Sequence, residues 1–278
     1  MSFYEELNIN TWAEAKHYFN KLLDANDFWV FRGHYKAEWK LQPSLERTLS
    51  RKPIDLAIES KIILEFKRRA HQYLPGNLMP QNLLEWLALM QHHGSPTRLL
   101  DWTKSPYIAA FIAFEDTYKE SGEVAIWAID SLWLKQASIH RLKQLAKTGV
   151  QIEISQIKED KELIAFINAD LKIIFPLEPT VMNERLTIQQ ALFLVPSGKH
   201  ISFEDNMQAY VAEDSPKYVK KVIVPKKEGL NCLIDLFRMN INAATLFPGL
   251  DGFARSLRTI PDITYSSVFK EVDNIFEQ

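Results

Sequence analysis

The stretch Phe28-Trp29-Val30-Phe31 places four large apolar side chains in a row, and Arg32 and Gly33 follow without a spacer. A continuous apolar run of this length fits a strand covered on both faces, because an alternating pattern would leave one face polar. The pattern predicts a buried strand over 27–32. A guanidinium at the end of such a strand needs a carboxylate partner or an anionic ligand, since an unpaired charge in the interior is costly. Gly33 leaves room for a close approach to the backbone. Any fold open to this chain must therefore set a cationic strand end at the rim of a cleft or against a buried acid.

The surrounding elements read as a mixture of helices and strands. Thr11 and Glu14 form a capping-box pattern ahead of Trp12, Ala15 and Phe19 at helical spacing, which predicts a helix over 12–24. Further helices are expected over 54–73, 82–90, 131–148, 159–171 and 228–239, and Pro75, Gly76 and Pro80 break the first two apart. Ser105 before Pro106 is an N-cap followed by proline at the first helical position, opening a helix rich in alanine. EVAIWAI (123–129), QALFLVP (190–196) and YVKKVIVP (218–225) read as strands. No 20-to-50-residue period and no linker composition divides the chain. The expected fold class is α+β: a single domain with a small mixed or antiparallel sheet flanked by helices.

Composition narrows the partners. With 278 residues, 46% of them apolar, the chain can bury a sizeable core, and a formal net charge of -2 gives no general attraction for nucleic acid or an anionic membrane. The single cysteine, Cys232, excludes an internal disulfide and fits a reducing, cytoplasmic setting. The first residues lack a basic region followed by an apolar run, and nowhere are there about eighteen successive uncharged apolar residues, so neither secretion nor membrane spanning is expected.

There is no glycine-rich phosphate loop, HExxH, GxSxG elbow or dinucleotide fingerprint. The densest polar stretch is QHHGSPTRLLDWTKSP (91–106), which crowds Gln91, His92, His93, Thr97, Arg98, Asp101, Thr103 and Ser105 between two apolar helices. It reads as a loop. It is either a candidate site or a well-bonded connection in which Asp101 pairs locally with Arg98. Adjacent histidines point different ways on a regular backbone, so His92, His93 and His34 lack the further ligands a zinc ion needs, and no metal is expected.

FRGH with Trp39, Leu41, Pro43, Ser44 and Arg47, together with QHHGSPTRLLDWTKSPYIAAFIAF over 91–114, resembles the FRG domain family, named for the residues that stand here as Phe31, Arg32 and Gly33. The similarity extends to Arg185 and Gln189 in NERLTIQQALF and to KVIVPKK and INAATLFPGLDG, so it runs from 27 to about 257. His93 stands where the family usually has an aromatic residue, which leaves His92 as the functional histidine. The implied organisation is an N-terminal helix (1–26), an FRG domain (27–258) with 131–175 as the best candidate for a helical insertion, and a C-terminal tail (259–278).

FRG proteins are bacterial and phage-associated, and the arrangement is similar to ADP-ribosyltransferase sites of the arginine, serine, glutamate type. The resemblance implies an ADP-ribosyltransferase-like fold, NAD as substrate and the role of a toxin or defence effector. Arg32 would hold the pyrophosphate, with Gly33, Thr97, Arg98 and Arg185 beside it. Thr103 and Ser105 would bind the nicotinamide ribose and Trp102 would stack on the nicotinamide. Cleavage builds an oxocarbenium-like centre that a carboxylate stabilises best. Gln189, expected on a strand, is uncharged, and Glu184 lies one loop away, so the catalytic candidates are His92, Asp101 and Gln189. The acceptor, protein or nucleic acid, stays open, as does an operon-encoded partner. Two other classes stand beside this one: a non-catalytic nucleotide- or nucleic-acid-binding module, and a metal-independent hydrolase or nuclease with His92 as base and Asp101 as its orienter.

Overall fold

In the computed structural model, the described residues are 2–49, 56–76, 79–146, 152–153, 156–198 and 202–263. The elements run β1 (Glu5–Asn8), α1 (Trp12–Ala25), β2 (Trp29–His34), α2 (Ser44–Leu49), α3 (Leu56–Ala70), α4 (Leu83–His92), β3 (Leu100–Thr103), α5 (Pro106–Phe114), β4 (Glu123–Asp130), α6 (Ser131–Ala146), α7 (Asp160–Asn168), β5 (Ile174–Leu177), α8 (Glu184–Ile188), β6 (Ala191–Pro196), α9 (Phe203–Gln208), α10 (Ser215–Tyr218), β7 (Val219–Pro225), α11 (Gly229–Arg238), α12 (Ala243–Leu246) and α13 (Leu250–Ser256). The strands form one sheet in the order β1-β7-β4-β2-β3-β6-β5. β1 pairs with β7 in parallel and every other ladder is antiparallel. The fold is α+β, and its mixed sheet, at seven strands, is larger than the small one expected.

Three strands escape the sequence pattern for separate reasons. β1 is the polar tetrapeptide EELN, and only its parallel pairing to Lys220–Ile223 makes it a strand. β5 contains Pro176, which is tolerated because β5 lies at the sheet edge. β3 sits inside the segment read as a polar loop. Of its four residues only Asp101 is exposed, with Leu100, Trp102 and Thr103 buried, so the strand shows no period of two.

β2 also corrects an expectation. It runs to His34 rather than to residue 32, and Phe28, expected in the core, is 48% exposed. Arg32 thus lies within the strand, opposite Trp127 of β4, with His34 opposite Ala125. Its neighbours on β2 alternate between two cores. Val30 joins Trp102, Trp127, Leu192, Leu194 and Tyr210 on one face of the sheet. Trp29 and Phe31 face Phe19, Phe111, Phe114 and Leu233 of α1, α5 and α11 on the other. A third cluster, from α4, α7, β5 and β6, holds Leu87, Phe166, Phe175 and Phe193.

Gly33 explains why α5 can lie against β2. A Cβ at Gly33 would stand 2.0 Å from the Ala109 carbonyl oxygen and 2.8 Å from the Ala113 nitrogen. Ala109, Ala110 and Ala113 are fully buried, so small residues on both sides bring the backbones together. Ser105 caps this helix by accepting the Ile108 N–H at 3.3 Å, with Pro106 at its first turn. The room expected at Gly33 is thus filled by the helix.

The segments outside the expected central domain are packed into it. β1 extends the sheet and α1 buries Trp12, Ala15 and Phe19 in the first core. Within 131–175, α6 sends Leu134 and Ala137 into the core below the sheet, and α7 buries Leu163, Phe166 and Ile167. Of the expected tail, Ile263 joins the core, and residues 264–278 lie outside the described residues. Among the described residues no helix is long and apolar enough to cross a membrane.

Candidate functional site

A cleft opens where β2 and β3 part. Their ladder holds one registered pair, Phe31 with Thr103. Beyond it, Arg32 Nη1 reaches the Asp101 carbonyl oxygen at 2.7 Å, and Arg32 Nε donates to His34 Nε2 at 3.1 Å. The cavity there has a volume of about 260 Å³, and its polar lining includes Arg32, Tyr35, Gln91, His92, Asp101, Thr103, Arg185, Gln189 and Arg255.

The cavity is cationic. Among the described residues no carboxylate comes within ion-pair distance of Arg32 or Arg185. Burial lowers the pKa of both guanidiniums, opposed by the charge of Asp101, yet arginine keeps its proton. Arg185 and Arg255 both lie over the Phe247 ring, 4.7 and 4.5 Å from its centre. Arg255 is anchored by a two-point bond to buried Glu115 at 2.7 and 2.6 Å. Among the described residues Asp101 is the one carboxylate in the lining of this cavity. Burial, then the Arg32 charge, pushes the buried His34 imidazole down to about 3, so it stays neutral and accepts from Arg32. His92 is held below the usual imidazole range by partial burial, then by Arg185 and His93.

A second lobe of about 510 Å³ adjoins the first across a shared wall of His92, Arg185, Phe247 and Arg255, and adds Asn183, Glu184 and Asp251. The two lobes make one bipartite cleft with guanidiniums at its waist.

The residues proposed from sequence divide sharply. Arg32, Gly33, His92, Asp101, Trp102, Thr103, Arg185 and Gln189 border the cavity. Thr97, Arg98 and Ser105 do not. Arg98 is spent in a buried ion pair with Glu59, Nε to Oε1 2.8 Å, and in bonds to the Pro196 and Gly198 carbonyls, so it does not pair with Asp101. Trp102 is 2% exposed and offers no open ring face for stacking; Tyr35 and Phe247, both half-buried, are lining aromatics with accessible surface. Gln189 is the C-cap of α8 rather than a strand residue. Its amide donates to the Leu246 carbonyl at 3.0 Å, and its own carbonyl accepts the Thr103 hydroxyl at 2.7 Å. No cluster of three metal-ligating side chains forms among the described residues, so His34, His92 and His93 make no zinc site there. Tyr35, Phe247 and Arg255 were missed. Nothing local distinguishes Arg255 from a surface arginine until α13 folds back on Glu115.

Fold and cleft together define an α+β domain with a cationic cavity between two diverging strands. Residues 27–122, about a third of the chain, match the family model of the FRG domain. The matched segment supplies Arg32, His92, Asp101 and Thr103, and the chain beyond it supplies Arg185, Gln189, Phe247 and Arg255. No curated protein and no solved structure matches the chain.

Proposed function

We propose that the cleft binds a phosphate-bearing dinucleotide, with NAD the leading candidate, and cleaves its nicotinamide-ribose bond, as in an ADP-ribosyltransferase-like or NAD-cleaving toxin or defence effector. The observation that carries this reading is charge placement: among the described residues no carboxylate lies within ion-pair distance of Arg32 or Arg185, and the lobe they both face is lined by one carboxylate, Asp101. Planar guanidiniums grip phosphate oxygens in pairs. The two-lobed shape supports a ligand with a ring system on either side of a charged linker, whose pyrophosphate would lie at the Arg185 and Arg255 waist.

In the reaction, the C1′–N bond breaks heterolytically and its electron pair leaves with the nicotinamide ring nitrogen. The cationic sugar carbon that remains is stabilised by the Asp101 carboxylate. Water or an acceptor nucleophile then bonds to C1′, and its proton passes to His92, which is neutral at pH 7 and therefore able to accept it.

Incubation of the purified protein with NAD, following nicotinamide release, tests the proposal. The expected result is release that falls at least 100-fold in Asp101→Asn, and whose acid limb lies below pH 6.5 because the His92 pKa is lowered. Saturable NAD binding without release would favour a non-catalytic nucleotide-binding module. Neither binding nor release would reject the NAD reading.

A further inference from the structure

We propose that Gln91, itself locked by Thr97, is the positioning residue that aims Asp101 into the cleft; this rests on the reading of Asp101 as the carboxylate of the reaction. The order of donors fixes the amide. Thr97 is fully buried, and its Oγ1 accepts the Leu99 N–H at 3.3 Å. The hydroxyl proton is then free to go to Gln91 Oε1, its other hydrogen-bond partner. With Oε1 accepting, Gln91 must present its Nε2 hydrogens to the two remaining neighbours. Both are acceptors: the Leu99 carbonyl at 3.3 Å and Asp101 Oδ2 at 2.7 Å.

Thr97 is in turn held from the side. Its N–H donates to Ser44 Oγ at 3.0 Å, and its carbonyl accepts the Leu45 N–H at 3.0 Å. The start of α2 thus fixes Thr97, Thr97 fixes Gln91, and Gln91 fixes one oxygen of an otherwise exposed carboxylate on a four-residue strand. Without that donor, Asp101 is free to swing toward Arg32 or Arg185, where it would neutralise the charge meant for the ligand. The relay ties the last turn of α4, the α4–β3 connection and β3 together through Gln91, Thr97 and Asp101.

Four variants, Thr97→Val, Thr97→Ser, Gln91→Leu and Gln91→Glu, test this through nicotinamide release, NAD saturation and thermal melting. The relay predicts that kcat falls at least tenfold in Thr97→Val, Gln91→Leu and Gln91→Glu, with KM within threefold of the parent. Thr97→Ser, which keeps the hydroxyl, retains at least half the parent kcat. A Thr97→Val protein with full kcat overturns the proposal, and so does a Thr97→Ser protein as impaired as Thr97→Val. A crystal structure of Thr97→Val gives a readout that needs no turnover. Loss of the Gln91–Asp101 bond and a second Asp101 rotamer are expected, and an unchanged Asp101 overturns the relay even if the parent cleaves NAD. If the parent releases no nicotinamide but Asp101 moves as expected, the reaction assigned to the cleft fails and the positioning of Asp101 by Gln91 stands.

Discussion

Arg98 and Glu59 form an ion pair that is 6% and 5% exposed, joining the chain just before β3 to α3 through a bond of 2.8 Å. Its position, three residues before Asp101, makes it look like part of the site, but its guanidinium faces Glu59 and three carbonyl oxygens rather than the cleft. Removing either partner leaves a charge buried alone, which costs about 3–5 kcal/mol. Arg98→Met and Glu59→Gln are each expected to lower the stability in urea by that amount. The double variant should lose much less than the sum, because no orphan charge remains.

Gly33→Ala is expected to destabilise by about 3 kcal/mol or more, since the added methyl would overlap the Ala109 carbonyl and no flexible side chain is there to yield. Denaturant midpoints measure this. An Ala variant of parental stability would show that α5 does not rest on β2 as described.

His34 should make stability fall with acid. Its folded pKa is about 3 and its ordinary value 6.5, so between those values the unfolded chain binds a proton that the folded chain refuses. Stability is full above pH 6.5 and drops by ~1.4 kcal/mol per pH unit below it. His34→Gln cannot take up that proton. From pH 7.5 to 5 the parent should lose about 2 kcal/mol more than the variant, read from urea unfolding at each pH.

Ligand affinity should depend on the guanidiniums one by one. Arg32→Gln and Arg185→Gln are each expected to weaken NAD binding at least tenfold with melting temperatures close to the parent, measured by calorimetry. Arg32→Lys should recover only part of the loss, because an ammonium cannot hold two phosphate oxygens in one plane. Parental affinity in both Gln variants would remove the cleft from phosphate recognition.

The helices were legible wherever a cap and an apolar stripe coincided. Thr11 and Ser105 accept the N–H groups expected of them, and α1 and α5 begin where their capping residues require. The central strands β2, β4 and β6 were legible from nearly continuous apolar runs, and β7 from the β-branched run Val222–Val224 behind its two lysines. β3 was not, because its pattern is four residues long and both of its polar residues, Asp101 and Thr103, border the cleft.

The sequence by itself determined that Arg32 follows a buried run, that Gly33 must be small, and that the chemistry-bearing residues crowd into 91–106. Local pattern carries that much because periodicity, capping and glycine spacing are set by the nearest few residues. Tertiary structure alone decided which of those polar groups face the cavity. Arg98 and Asp101 are three residues apart, yet one is claimed by Glu59, 39 positions earlier, and the other by Gln91 and Arg32. Arg185 and Arg255 enter from α8 and α13, across a sheet whose order brings together segments remote in the chain. A charge is assigned its partner by the distances that folding creates, and those distances are not written in the spacing along the chain.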